Sequence, residues 1–280
     1  MESYGVEYMA LKAHKLEKLF LSHMKDQKFK KKMSEHFDKQ SQDFSMKIGI
    51  QKFGSETMNR YLRRPYKYIE DQHLNDIDSK IILDYCCGTG VYSILPATRG
   101  AFVHGIDISM KSIELAKQKS EILGKDSQTY FQKMDAEHLD YEDDYFDLIL
   151  VYGSLSYLNL EQTFKELKRV LKTSGKLIIV DSLGHNPIFN FNRRKNVKNY
   201  APEDLSLLKT IRKSDIKLAK HYFSRLDVKF FNLFSVIGYI LSQKFGININ
   251  VYLLDNLDRF FLNFPFIKWL AFKVVIICHK

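Results

Sequence analysis

Short apolar runs separated by amphipathic segments dominate the middle of the chain. The runs cover residues 80–85, 101–106, 130–131, 146–152 and 176–180. Apolar runs of this length, bounded by turn residues, are typical of strands buried in a sheet. The run 146–152 is apolar at nearly every position, as expected for a strand that is covered on both faces. The pattern predicts five strands of a parallel sheet.

The segments between these runs carry helical signals. Leu160, Phe164, Leu167 and Leu171 recur at spacings of four, three and four residues, with charged residues on the opposite face. Ser109 is a candidate N-cap of another helix, and a further helix is predicted from about residue 91 to just before residue 100. Residues 173–175 predict a turn into the fifth strand. Strands that alternate with helices in this way indicate parallel βαβ units.

Residues 221–231 and 272–278 supply candidates for a sixth and a seventh strand. The predicted fold class is therefore α/β, with a doubly wound, Rossmann-like, seven-stranded and mostly parallel sheet that has helices on both faces. Residues 1–78 contain no strand run and are predicted to form an N-terminal helical cap segment before a main domain at 79–280. Within that domain, 232–270 reads as a hydrophobic, aromatic-rich insertion, for which a lid, core packing, a dimer surface and a lipid contact are alternatives.

Composition places the chain among ordinary globular proteins, with 45% hydrophobic and 27% charged residues in a length of 280. The three cysteines show neither a disulfide framework nor a zinc spacing, which favours a reducing cytoplasm. No secretory signal and no apolar run of about 18 residues is visible, so the sequence predicts a soluble protein or one at the periphery of a membrane.

The formal net charge is +10, and basic residues cluster at 28–32 and at 193–198. Such an excess favours phosphate-bearing partners or an anionic membrane, whereas a solvated lysine-rich surface is the simpler alternative.

Glycines and polar residues follow four of the predicted strands. They are Gly88 and Gly90, Asp107, Asp135, and residues 152–154. Ligands of open parallel sheets bind beyond the carboxyl ends of the strands, so this coincidence predicts a binding site. A dinucleotide-binding turn would need glycines at 86, 88 and 91, but the chain has Cys86 and Val91, which argues against an NAD-dependent enzyme.

Residues 83–90 read LDYCCGTG. This run resembles motif I of the class I S-adenosylmethionine (SAM)-dependent methyltransferases, D/E-x-G-x-G-x-G. Asp84 matches the opening acid, Gly88 and Gly90 match the second and third glycines, and Cys86 stands where the family has the first. The resemblance extends over about residues 79–183. It implies SAM as the cofactor, S-adenosylhomocysteine as its product, and a methyltransferase domain at 79–280.

The resemblance also implies roles for individual residues. Gly88 and Gly90 would allow the backbone to approach the methionine part of the cofactor beside Cys86, and Asp84 would help to position its ammonium group. Asp107, twenty-three residues further on, would accept hydrogen bonds from both ribose hydroxyls. The remaining cofactor contacts implied are Ile108 and Met110 on the adenine, Asp135 and Ala136 at the adenine amino group, and Tyr152, Gly153 and Ser154 along the methionine moiety.

An acceptor oxygen would also need a base to remove its proton. His185 is the first candidate, because residues 184–187 (GHNP) follow the fifth strand and resemble a loop of a bacterial small-molecule methyltransferase subgroup. Tyr157 and His221 are further candidates. Asn186, Arg193 and Arg194 are candidate substrate-binding residues, since arginine can hold a phosphate or carboxylate bidentately. Ordinary loop roles for these residues are the alternative.

Three functions remain open at this point. The preferred one is methyl transfer to a small-molecule acceptor, with a glycan or a lipid-linked precursor as candidates, and without a metal. An RNA methyltransferase is motivated by the positive charge, but residues 152–155 (YGSL) lack the catalytic tetrapeptide of adenine-N6 enzymes. A non-catalytic scaffold is motivated by Cys86.

Overall fold

The computed structural model describes residues 26–41, 52–200 and 210–280. Parts of the predicted N-terminal segment, 1–25 and 42–51, therefore lie outside the described residues. The helices are α1 (26–41), α2 (Arg64–His73), α3 (Ile94–Thr98), α4 (Met110–Ile122), α5 (Leu160–Val170), α6 (Pro187–Tyr200), α7 (Lys213–Tyr222), α8 (Ser235–Phe245) and α9 (Val251–Phe261). The strands are β1 (Ile81–Tyr85), β2 (Phe102–Asp107), β3 (Thr129–Lys133), β4 (Phe146–Tyr152), β5 (Leu171–Ser182), β6 (Arg225–Phe231) and β7 (Lys273–His279).

The seven strands form one sheet in the order β3-β2-β1-β4-β5-β7-β6. The pairs among β1 to β5 are parallel, and β7 runs antiparallel to both of its neighbours. The predicted mostly parallel, seven-stranded sheet is confirmed. Because β1 and β4 lie side by side and the chain winds away from them in both directions, the carboxyl ends of the central strands meet at one edge.

Helices cover both faces of the sheet. Phe164 and Leu167 of α5 pack with Ile216 and Ala219 of α7 in the apolar cluster on one face. Ile69 of α2 belongs to the cluster on the other face. The spacing of the apolar residues in α5 explains its position, since they form a single stripe that faces the sheet.

Three sequence-based boundaries were wrong, for physical reasons. The sixth strand begins at Arg225, because residues up to Tyr222 continue helix α7. The helix expected from residue 91 begins at Ile94. The turn expected at 173–175 lies inside β5, where Phe146 pairs with Leu171 but Leu148 pairs with Lys176. Four residues of β5, 172–175, therefore stand opposite the single residue Asp147 of β4, and the turn signal appears as a bulge in a continuous strand.

The insertion at 232–270 contains α8, α9 and a 3-10 turn at Ile267–Leu270. The buried carboxylate of Asp258 holds its first residues, accepting hydrogen bonds from the Leu233 and Phe234 amides at 3.1 and 2.6 Å and from Ser235 Oγ at 2.6 Å. The outer surface of the insertion exposes large apolar side chains at Phe245, Ile247, Tyr252, Leu253, Phe260, Phe264 and Phe266. Within the described ranges, no helix has the length and apolar character needed to span a membrane.

Candidate functional site

A cavity of about 630 Å³ opens at the carboxyl edge of the central strands. Its lining comes from the ends of β1, β2 and β4, from the loop after β3, and from one face of α1. These are the places where the sequence has its glycines and acids, because the edge of a parallel sheet collects the residues that follow each strand.

The turn after β1 forms the floor of the cavity and has an unusual backbone. Cys86, Gly88 and Gly90 all have positive φ, at 58°, 52° and 71°. A Cβ added to Gly88 would meet no described atom within 4 Å, so this side of the turn faces the cavity. A Cβ on Gly90 would stand 3.0 Å from the Ala116 Cβ, so this second glycine is needed for packing against α4.

Asp107, at the end of β2, ties this turn to the next helix. Its Oδ2 accepts a hydrogen bond from the Gly88 amide at 3.0 Å, and its Oδ1 accepts one from the Ser109 amide at 2.9 Å. Burial raises the pKa of Asp107 above its usual range, although the two amides partly oppose that shift. Each carboxylate oxygen keeps a lone pair available for a further donor in the cavity.

Asp84, inside β1, is almost completely buried and lines the same cavity. Ser93 Oγ donates a hydrogen bond to Asp84 Oδ2 at 2.5 Å. Burial, reinforced by the nearby charge of Asp107, raises the pKa of Asp84 to about 7. Its charge at neutral pH is therefore sensitive to any cation brought beside it.

Lys30 of α1 reaches into the cavity and joins two acids of the loop after β3. Its Nζ lies 2.9 Å from Asp135 Oδ2 and 3.0 Å from Glu137 Oε2. Burial alone would lower the pKa of Lys30, but its hydrogen bonds to Asp135 and Glu137 outweigh this and raise it. The same pairing lowers the pKa of Asp135 despite the opposing effect of burial. This part of the cavity therefore carries fixed charges at neutral pH.

Three contacts between aromatic rings support the wall of the cavity. Tyr92 stacks on Tyr152 with ring centroids 4.1 Å apart, and Tyr66 of α2 stacks on Tyr92 at 5.4 Å. Phe37 of α1 meets Tyr157 edge to face at 5.4 Å. The rings present flat apolar surface beside the acids of the floor.

Most of the residues predicted to contact a cofactor lie together in this cavity. Those in its lining are Asp84, Cys86, Gly88, Asp107, Ile108, Asp135, Ala136, Tyr152, Gly153 and Ser154. Gly90 lies behind the floor against α4, and Met110 begins α4 with a half-exposed side chain outside the lining.

The residues predicted for catalysis and for the acceptor are mostly placed elsewhere. Tyr157 lines the cavity, whereas His185 and His221 do not. The His185 ring packs against Trp269 at 5.2 Å, and His221 lies exposed in the last turn of α7.

The three candidate acceptor residues are also outside the cavity lining. Asn186 is buried, and its Oδ1 accepts hydrogen bonds from the Ile188 and Phe189 amides in the first turn of α6. Arg193 is half-buried within α6, and its charge is felt by Asp181. Arg194 is exposed.

Sequence reasoning missed the contribution of α1 and of Tyr92. Phe29, Met33 and Phe37 are spaced four residues apart and line the cavity together with Lys30. That spacing is an amphipathic signal that could have been found, but it does not reveal which surface the stripe covers. Arg63 and Arg64, which belong to the predicted N-terminal cap segment, are not in the lining. Among the residues that the structure describes, His, Cys, Asp and Glu side chains form no group of three that could hold a metal ion.

Part of the chain is similar to known methyltransferases. A family model described as a methyltransferase domain matches residues 83–179. The demethylmenaquinone methyltransferase of Lactobacillus johnsonii is 35% identical over 111 residues, which cover 38% of this chain and 46% of that protein. The sterol 4-C-methyltransferase of Caenorhabditis elegans is 29% identical over 136 residues, covering 48% and 40%. The matched region thus spans less than half of either relative.

A solved structure shows the same fold. The geranyl diphosphate C-methyltransferase of Streptomyces coelicolor, solved with Mg²⁺, geranyl diphosphate and S-adenosylhomocysteine, superposes with a TM-score of 0.55 and 14% identity, over 76% of this chain and 77% of that one. Sheet order, cavity and motif together define a class I methyltransferase fold. Within that fold, residues 83–179 match the methyltransferase domain model.

The positive φ of Cys86 predicts how substitutions at this position change the stability of the protein. We expect Cys86→Gly to leave the free energy of unfolding within about 1 kcal/mol, because glycine accepts positive φ but gains entropy in the unfolded chain. Cys86→Val should lower it by about 2 kcal/mol, because a β-branched residue is strained at this φ. Chemical denaturation of the three proteins measures the difference. Equal stability of the valine and glycine variants would contradict the left-handed conformation.

Proposed function

We propose that this protein transfers a methyl group from SAM to a small-molecule acceptor. The observation that carries the proposal is the open backbone at Gly88, on the floor of the cavity. A Cβ added to Gly88 would meet no described atom within 4 Å, and the carboxylates of Asp84 and Asp107 line the same cavity. A ligand can therefore approach the backbone closely at this turn. The two carboxylates beside it suit a molecule that has ribose hydroxyls and an ammonium group to donate hydrogen bonds.

The residues present fit this cofactor. Asp107 would receive the ribose hydroxyls on the lone pairs that its amide contacts leave available, and Ile108 would pack against the adenine. Asp135 and Ala136 would face the adenine amino group, and Asp84 would lie on the side of the ammonium. When bound, SAM supplies a methyl group on a positively charged sulfur. The chain itself would orient the acceptor and exclude water from the reacting atoms.

Proton removal from the acceptor would fall to a group in the cavity. The described lining residues include Tyr157 but no histidine, which favours Tyr157 over His185 and His221 for this role. Burial keeps the pKa of Tyr152 well above its usual value, so Tyr152 stays protonated and would serve as wall rather than base.

For the acceptor, we favour the lipid-linked class over the glycan. Phe29, Met33 and Phe37 make the α1 side of the cavity apolar. The insertion at 232–270 does not contribute to the described lining, which speaks against a lid, but it exposes Tyr252, Phe260 and Phe266. An exposed aromatic surface on a protein with a net charge of +10 fits contact with an anionic membrane that contains the acceptor.

The cofactor assignment predicts the behaviour of Asp107→Ala. Calorimetric titration with SAM and S-adenosylhomocysteine should give saturable binding to the unmodified protein and a loss of about tenfold or more in the variant, because charge-assisted hydrogen bonds are removed. Asp126→Ala, which removes an exposed acid outside the cavity lining, is the matched control and should bind normally. Absence of binding by the folded, unmodified protein would favour the scaffold interpretation.

The raised pKa of Asp84 predicts that the affinity for SAM depends on pH. Its pKa of about 7 means that it is increasingly protonated as the pH falls below 7, and a protonated carboxyl loses its attraction for an ammonium group. Affinity for SAM should therefore fall by up to about tenfold per pH unit below pH 7 and level off above it. Asp84→Asn should remove this dependence. Identical pH profiles of the variant and the unmodified protein would exclude Asp84 as the titrating group.

The acceptor class predicts where a labelled methyl group goes. With methyl-labelled SAM, label should enter the organic phase when lipid vesicles carrying an extract of lipid-linked precursors are supplied. Phe266→Ser should reduce this transfer several-fold without changing SAM affinity, because Phe266 is 87% exposed on the insertion. Phe102→Ser, at a half-exposed aromatic in β2, is the matched control. Label found only with a water-soluble glycan fraction would reject the lipid-linked class.

A further inference from the structure

A second cavity, of about 570 Å³, lies between the beginning of α2, the end of β6 and α9. Five cationic side chains line it, and none of them lines the cofactor cavity. They are Arg60, Arg63, Arg64, Lys67 and Arg259.

The only carboxylates in its described lining, Asp71 and Asp255, are already engaged. Lys67 Nζ lies 2.7 Å from Asp71 Oδ1. Asp255 Oδ1 accepts a hydrogen bond from Ser235 Oγ at 3.1 Å and lies 3.9 Å from Arg64 Nη1. The charges of the lining therefore do not cancel. Among the described residues, the remaining three arginines have no carboxylate within ion-pair distance.

Three of the cationic side chains lie at the N-terminus of α2, where a positive charge is unfavourable. Arg63 is the N-cap of α2, Arg64 is its first residue, and Lys67 lies one turn further. The helix has no side-chain cap and no acid in its first turn. Because a helix N-terminus carries partial positive charge, these cations raise the local potential, which an anion would relieve.

The side chain of Arg63 adds an unsatisfied donor. Its Nε–H is buried and has no hydrogen-bond partner among the described atoms, and its Nη2 donates only a long bond of 3.5 Å to the Met58 carbonyl. Arg63 lines the cavity, and among the described residues its guanidinium makes no other hydrogen bond, so its remaining donors are available to an anion there. Burial lowers the pKa of Arg64, and the charge of Arg259 lowers it further, although Asp255 opposes both.

We propose that this cavity binds a phosphate-bearing group. A phosphate or diphosphate matches the planar donor forks of Arg63 and Arg259 and would neutralise the excess charge around the start of α2. The group can belong to a soluble molecule or to the headgroup of a lipid, and both sources share this chemistry. The site is independent of the cofactor cavity, so it does not require that methyl transfer occurs.

Inorganic pyrophosphate is the probe for the soluble source. Calorimetry on the full chain without SAM should show saturable binding that Arg259→Gln weakens several-fold and Arg63→Gln/Arg259→Gln weakens by about tenfold or more. Lys217→Gln/Lys220→Gln removes the same charge from the exposed face of α7 and should change the affinity less than twofold. Arg259 is itself exposed, so its single variant tests the site without disturbing packing.

Sedimentation with phosphatidylglycerol vesicles tests the lipid source. Vesicle binding that is lost in the Arg63/Arg259 variant and kept in the α7 control assigns the site to a lipid headgroup, whereas pyrophosphate binding alone assigns it to a soluble ligand. Absence of binding to both probes, or equal weakening by the α7 control, would overturn the proposal. Because SAM takes no part in these measurements, their failure is distinct from failure of the methyltransferase assignment.

Discussion

The geometry of the cavity at the sheet edge, where we propose that SAM binds, depends on one carboxylate, that of Asp107. With one oxygen on the Gly88 amide and the other on the Ser109 amide, it fixes the turn after β1 relative to the start of α4. Ser109 in turn caps that helix by accepting a hydrogen bond from the Ser112 amide. The backbone on both sides of the cavity is therefore held in place before any ligand arrives, which lowers the ordering cost of binding.

The N-terminal helix α1 is joined to this framework by polar contacts. Asp38 accepts hydrogen bonds from Ser109 Oγ and from the Lys111 amide, and Ser34 Oγ donates one to the Ile108 carbonyl at 3.1 Å. Together with Lys30, these contacts bring α1 onto the residues that we propose to bind the ribose and the adenine. The apolar stripe of α1 and the acids of the sheet edge consequently enclose one cavity between them.

The sequence predicted the sheet and the floor of the cavity well, because both follow from local rules. Buried parallel strands leave apolar runs, and the sheet edge collects Asp84, Asp107 and Asp135 wherever the helices lie. It could not place His185, since a residue in a loop after β5 can face the cavity or Trp269 with the same local pattern. Nor could it tell that Lys30 turns inward. A lysine cluster is ordinarily solvated, and two of the three acidic partners of Lys30, Asp135 and Glu137, are more than a hundred residues away in sequence.

The three cysteines have a consequence for how the protein can be studied. Cys87 and Cys278 are buried, Cys86 lies in the motif turn, and burial raises the pKa of each thiol above its usual value. Only the thiolate reacts readily with alkylating reagents, so the folded chain should be slow to label at neutral pH. Two of the thiols report on the floor of the cavity and the third on β7. Their rates of modification therefore measure two events separately, the local opening of the motif turn and the unfolding of the sheet.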